Sequence, residues 1–211
     1  GPFFCYMPVT PPHGHFDLPE DDPSWALFRD QDWPREAKRY AAMVHMLDRQ
    51  VGELFDLLEE LDLDGNTIVI FCGDNGGQDY FRSKNTPRGF HGPNVNPLSG
   101  VQFRGQKGTL YDGGLRIPAV VRWPGHITAG QISDHHWYFP DVMPTVAELA
   151  GVQPPADTDG ISFIPELLGR PQQQADHEFM YWELGARRAV RMQDWKAIRP
   201  ARGKPWALYD L

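Results

Sequence analysis

Asp74 and Asn75 follow a run of β-branched and aromatic residues in TIVIFCGDNGG, residues 67–77. A carboxylate beside an amide carbonyl is a pair of hard oxygen donors, better suited to Ca²⁺ or Mg²⁺ than to zinc. Lys107 lies in GQKGT between Gly105 and Gly108, where the missing side chains would let a ligand come close. His13 stands in the Pro- and acid-rich stretch 10–23, just past the apolar run Phe3–Val9, with His15 two residues on. His91 belongs to a polar stretch, residues 78–102, that also carries Arg82, Lys84 and Arg88. A loop of that length is commonly functional, and this one could form a wall facing a substrate. Each motif also has a plain reading: Asp-Asn-Gly-Gly is a good turn for local reasons, Lys107 an ordinary surface lysine, His13 an exposed histidine, and 78–102 an ordered excursion.

The elements that must hold these groups read as follows. Residues 67–71 predict an interior parallel strand, and in open α/β sheets ligands bind beyond the carboxyl ends of such strands, where Asp74 and Asn75 stand. Tyr40, Val44, Leu47, Val51, Leu54, Leu58 and Leu61 recur at spacings of four and three, which predicts a crossover helix over 34–61, capped by Asp32 or Trp33 with Pro34 in its first turn. His45 and Asp48 on that helix read as packing or edge residues. Asp62, Asp64 and Asn66 imitate the start of a calcium loop, but Thr67 stands where glycine is required and no closing Glu follows. Phe3–Val9 predicts a short strand, 107–111 a helical turn, and 115–122 a strand placed toward an edge by Pro118. Residues 138–150 predict a second helix with Asp141 as cap and Pro144 in its first turn, and a short helix is expected near 165–168. From Glu178 on, FMYWEL, RRAVRM, WKAIR and WALYDL alternate with tight polar turns, the pattern of antiparallel hairpins.

A chain of 211 residues with 41% hydrophobic and 23% charged residues can bury a sizeable core. Its net charge of −8 and the absence of a dense Lys/Arg run argue against a nucleic-acid partner, so an anionic ligand would need a local cationic pocket. Mean hydropathy is −0.49, and no apolar run reaches the roughly 18 residues of a membrane span. Cys5 and Cys72 each sit in an apolar run and are expected to be buried thiols, which leaves the compartment open. The chain opens directly on an apolar run with no signal peptide, as a fragment of a longer protein would.

Taken in order, the segments resemble the C-terminal half of the sulfatase family within the alkaline-phosphatase-like superfamily. The resemblance rests on PFFCYMPVTPPHGHFDLPE, LDLDGNTIVIFCGDNGG, FRGQKGTLYDGGLRIPAVVRWPG, DVMPTVAELAG and the closing DWKAIR and LYDL, and covers nearly the whole chain. It implies an α/β fold: a partial alkaline-phosphatase-like mixed or parallel sheet flanked by helices over 1–153, then a small antiparallel C-terminal subdomain over 154–211. It implies hydrolysis of sulfate monoesters with Asp74 and Asn75 as ligands of a divalent metal, usually Ca²⁺ with Mg²⁺ as the alternative. Asp74 would also help orient the nucleophile. By position Lys107 matches the lysine that contacts the sulfate and His13 the histidine beside it; His91 is carried as a further substrate-binding residue. His15 stands where many relatives have proline.

One feature departs from the family. Its formylglycine nucleophile is made from Cys/Ser-x-Pro-x-Arg, which this sequence lacks, as it lacks the paired aspartates that complete the metal site. Formylglycine is therefore expected only in an upstream segment, and the chain by itself is expected to be inactive. The expected partners are a sulfated small molecule or glycan, together with the missing N-terminal half or another protomer, and the resemblance implies a periplasmic, secreted or lysosomal location. The competing readings are a phosphoesterase of the same superfamily and a non-catalytic module that binds a sulfated ligand or a partner chain.

Overall fold

The computed structural model describes residues 1–78, 94–96 and 98–211. They pack as two units, one of residues 1–64, the other of 65–78 with 94–96 and 98–211. No described helix is long and apolar enough to cross a membrane. The expected wall at 78–102 lies largely outside the described residues, with Arg82, Lys84, Arg88 and His91 all beyond them.

In the first unit, helices α1 (Pro23–Phe28) and α2 (Arg35–Glu60) pack together. Asp22 caps α1, its Oδ1 accepting from the Ser24 N–H at 2.8 Å. Helix α2 starts one residue after Pro34 without the side-chain cap expected from Asp32 or Trp33. In its first half the row it buries is rotated from the expected stripe: Ala42 and Met43 join Leu18 in a core that Phe16, Trp25, Phe28 and Met46 surround, whereas Val44 is 43% exposed; further along, Leu58 of the expected stripe is buried. Periodicity weights large side chains, but a small residue such as Ala42 lets neighbouring elements approach closest. Arg39 is buried on the same row; it donates to Asp17, Glu20 and the Leu18 carbonyl, and its guanidinium lies 5.0 Å from the Trp25 ring centre.

Residues 1–10 form no regular element, and Phe3, Phe4 and Tyr6 are exposed. The strand expected over Phe3–Val9 is thus absent, because among the described residues no strand pairs with it and a lone strand leaves its backbone groups unmet. Cys5 is exposed with it, contrary to the expected buried thiol; Cys72 is half-buried, and neither forms a disulfide.

In the second unit β1 (Val69–Cys72) runs antiparallel to β2 (Ala119–Arg122), in register from Val69 opposite Arg122 to Cys72 opposite Ala119. This corrects the parallel, interior strand expected for TIVIF. Phe71 is 38% and Val120 61% exposed, and β2 is the one described partner of β1. An apolar run reports the wish to be buried and says nothing of strand direction. The expected helical turn at 107–111 is displaced to α3 (Asp112–Leu115), because Gly105 at φ +80° and Gly108 at φ +79° leave the right-handed helical region.

Helix α4 (Val142–Leu149) follows a 3₁₀ turn at 139–141, and α5 (Ile164–Leu167) lies against it. Asp141 is 1% exposed and does not cap α4 as expected. Its carboxylate accepts instead from the Tyr138 N–H, the Ile161 N–H and His177 Nε2, each at 2.8 Å, tying three chain segments to one buried group. The C-terminal antiparallel sheet expected from the hairpin pattern is present as β3 (Met180–Leu184), β4 (Arg187–Met192), β5 (Trp195–Arg199) and β6 (Ala207–Asp210), in that spatial order.

Candidate active site

The Asp74–Gly77 turn leaves the end of β1, where Gly73 N–H still bonds the Pro118 carbonyl at 3.2 Å. It is then captured by the loop that carries Lys107. The Gly76 N–H donates to the Gly114 carbonyl at 2.9 Å, and the Lys107 N–H donates to the Gly77 carbonyl at 2.9 Å. Asn94 closes the same knot through Nδ2, which donates to the Gly77 and Gly113 carbonyls at 3.2 and 2.6 Å.

The glycines make this approach possible. A Cβ on Gly76 would run into the Gly113 carbonyl, one on Gly113 into the Gly105 carbonyl, and one on Gly114 into the Thr109 carbonyl. Backbones in such contact hold their neighbours in place by close packing. Two sequence motifs separated by residues 78–104, DNGG and GQKGTLYDGG, are in this way one object.

The C-terminal sheet supports the Lys107 side of the knot from below. Leu110 packs with Ala189 and Ile198, the Arg187 guanidinium donates to the Gly108 carbonyl at 2.8 Å, and Arg104 donates to the Tyr209 hydroxyl at 2.9 Å. Lys196, 3% exposed, reaches Asp112 Oδ1 at 2.6 Å. Burial pushes the Lys196 ammonium below its ordinary pKa, and the Asp112 carboxylate opposes that shift. Asn94, Asp112, Arg187 and Lys196 were not singled out in the sequence. Lys196 did leave a trace there, a charge on the inward-facing register of WKAIR, two residues from Ile198.

Asp74 is exposed, Asn75 and Lys107 are half-buried, and among the described residues none of the three side chains has a hydrogen-bond or ion-pair partner. The knot thus spends backbone groups on its own cohesion and leaves a carboxylate, an amide and an ammonium for something else. Cys72 is adjacent, but burial, and next the Asp74 carboxylate, push its thiol up and keep it protonated, which does not suit a nucleophile. His13 lies in the first unit, exposed, in a turn where its N–H bonds the Thr10 carbonyl at 2.9 Å. The structure therefore unites Asp74, Asn75 and Lys107, while His13 is placed only within its own unit and His91 falls outside the described residues.

As donors for a hard cation, Asp74 and Asn75 fit in kind, offering side-chain oxygens that no other described residue occupies. In number they are few: among the described residues no group of three or more His, Cys, Asp and Glu converges on one point. Since Ca²⁺ takes about 6 to 8 oxygens, the 211-residue chain is expected to bind it weakly, with calorimetry giving a dissociation constant well above micromolar. Submicromolar binding would mean that further ligands lie within this chain.

The described residues thus form an α/β chain with Asp74, Asn75 and the Lys107 loop gathered at the end of the β1–β2 sheet. Residues 1–152 match the family model described as Sulfatase, and residues 104–211 the model described as N-sulphoglucosamine sulphohydrolase, C-terminal. The chain belongs to the sulfatase family. It is 34% identical over 160 residues to the steryl-sulfatase of Homo sapiens, covering 74% of this chain and 26% of that protein. It is 35% identical over 161 residues to the N-acetylgalactosamine-6-sulfatase of Mus musculus, covering 75% and 28%. A crystal structure of Ps i-CgsB in complex with k-i-k-neocarrahexaose superimposes with a TM-score of 0.71 at 26% identity, over 95% of this chain and 41% of that one. The chain thus spans between a quarter and a third of the length of these two curated relatives.

Proposed function

We propose that this chain is the carboxyl-terminal part of a sulfuric ester hydrolase, and that it supplies the metal-binding pair Asp74 and Asn75 and the sulfate-contacting Lys107 to a site whose nucleophile lies in a segment outside these 211 residues. The observation that carries this reading is the hydrogen bond from the Lys107 N–H to the Gly77 carbonyl, which ties the lysine's loop to the turn that bears the two oxygen donors. Family membership supports the reaction class, and the relatives' names support a sulfated sugar or sterol as the substrate class. A periplasmic, secreted or lysosomal location belongs to the same reading.

The chemistry follows from charge. A sulfate monoester is an anion, and its S–O bond breaks as negative charge builds on the departing oxygen. Lys107 places a positive charge beside the sulfate, where loss of one such preorganised group is costly. Asp74 and Asn75 would hold a divalent cation, which when bound neutralises the sulfate oxygens. His13 would donate a hydrogen bond to the sulfate, or a proton to the leaving oxygen.

The test is turnover. The 211-residue chain is expected to release no p-nitrophenol from p-nitrophenyl sulfate beyond the uncatalysed rate, whereas the protein that also contains a Cys/Ser-x-Pro-x-Arg segment converted to formylglycine should turn over repeatedly. Multiple turnovers by the short chain, purified free of other hydrolases, would place a nucleophile within it and overturn the division of labour proposed here.

A further inference from the structure

The C-terminal sheet has a second face. Side chains alternate along a strand, so Arg187, Ala189, Lys196 and Ile198 point toward the Lys107 loop while Arg188 and Arg199 point away from it. On that outer face the register sets Glu183 opposite Arg188 and Arg188 opposite Arg199.

Like charges directly opposite on neighbouring strands are unfavourable, so the Arg188–Arg199 pair needs a compensating anion. Glu183 serves Arg188, with Oε1 at 2.6 Å from Nη2, and its other oxygen is occupied by the Tyr181 hydroxyl at 3.0 Å. Among the described residues Arg199 and Arg202 have no carboxylate within ion-pairing distance. The Arg199 guanidinium stacks 5.5 Å from the Trp206 ring centre, and its Nε is buried without an acceptor.

Arg188, Arg199 and Arg202, with Gly185 and Ala186, line an open cavity of about 380 Å³ between the β3–β4 turn and the chain that leaves β5. Of these three guanidiniums only that of Arg188 is paired with a carboxylate among the described residues, in a protein whose net charge is −8. The excess is regional: residues 178–211 hold seven Arg and Lys against four Asp and Glu.

We propose that this cavity is a binding site for an oxyanion group, a sulfate or phosphate, on the face of the C-terminal sheet opposite the Lys107 loop. Planar guanidiniums suit such a group because each can give it paired N–H donors. Two sources share this chemistry, a free ion and an ester group on a longer chain. The site does not depend on the hydrolase reading, since none of its residues belongs to the candidate active site.

The experiment titrates inorganic sulfate, and separately a multiply sulfated oligosaccharide, into the 211-residue chain while the arginine side-chain Nε–Hε resonances are followed by NMR. Saturable shifts are expected at Arg188, Arg199 and Arg202. Arg199→Gln with Arg202→Gln should weaken the binding read at the remaining Arg188 resonance at least roughly tenfold. Tighter binding of the oligosaccharide identifies the ester as the source and equal binding the free ion; either supports an oxyanion site. Arg202→Gln alone removes an exposed side chain, so it should weaken binding at unchanged melting temperature and decides the matter if the double variant unfolds. Absence of saturation at these three arginines, or binding undiminished in the variants, would overturn the proposal.

Discussion

Lys107→Ala in the complete enzyme is expected to lower kcat by a factor on the order of 10² to 10³, the cost of losing one preorganised electrostatic donor. The melting temperature should hardly move, because the loop is held by the Lys107 N–H and by the glycine contacts, none of which involves the ammonium. Lys107→Arg should recover only part of the loss, since a wider, planar cation cannot occupy the same point. His13→Ala separates the two roles open to that histidine. If it supplies the proton, kcat falls far more for an alkyl sulfate than for a nitrophenyl sulfate, whose leaving group needs none. Equal losses on both esters would leave His13 a sulfate binder. Near wild-type kcat in Lys107→Ala would remove the lysine from the site and with it the main support for the proposed assignment.

The second large effect falls on stability. Asp141→Ala strands the Tyr138 N–H, the Ile161 N–H and His177 around a buried void, at a cost on the order of 3 kcal/mol. For a chain of this size that corresponds to a fall in Tm of about 10 °C. Thr145 shares the junction, donating to the Asp141 carbonyl at 2.7 Å and accepting from the Phe163 N–H at 3.1 Å, so the loss should spread to the packing of α4 against α5. Urea denaturation of Asp141→Ala, His177→Ala and the double variant gives the coupling directly. A cost below about 1 kcal/mol in Asp141→Ala would show that water or rearranged neighbours satisfy the freed donors.

How far the sequence reaches differs between fold and site. The long helix, the C-terminal hairpins and the short helix near 165 were legible because each follows from nearest neighbours: a period near 3.6, a period of 2, and turn residues between. The strand expected at Phe3–Val9 does not form, because a strand exists only when another pairs with it, and composition cannot supply the partner. For the same reason TIVIF read as an interior parallel strand, yet pairs antiparallel with β2 and leaves Phe71 partly in water.

In the site, the amino-acid types alone determined the chemistry on offer: hard oxygens at Asp74 and Asn75, a cation at Lys107, and no Cys/Ser-x-Pro-x-Arg to make a nucleophile. Only the tertiary structure decided that the Lys107 loop docks on the Asp74–Asn75 turn, because that depends on Gly76, Gly113 and Gly114 letting backbones meet where a single Cβ would hold them apart. It likewise decided that Asp141 is a buried clasp and not the side-chain cap of α4, and that Lys196 and Asp112 meet across 84 residues of chain. Such pairings are settled by which surfaces close on each other when water is expelled, and that is a property of the whole packed chain, beyond any local stretch of it.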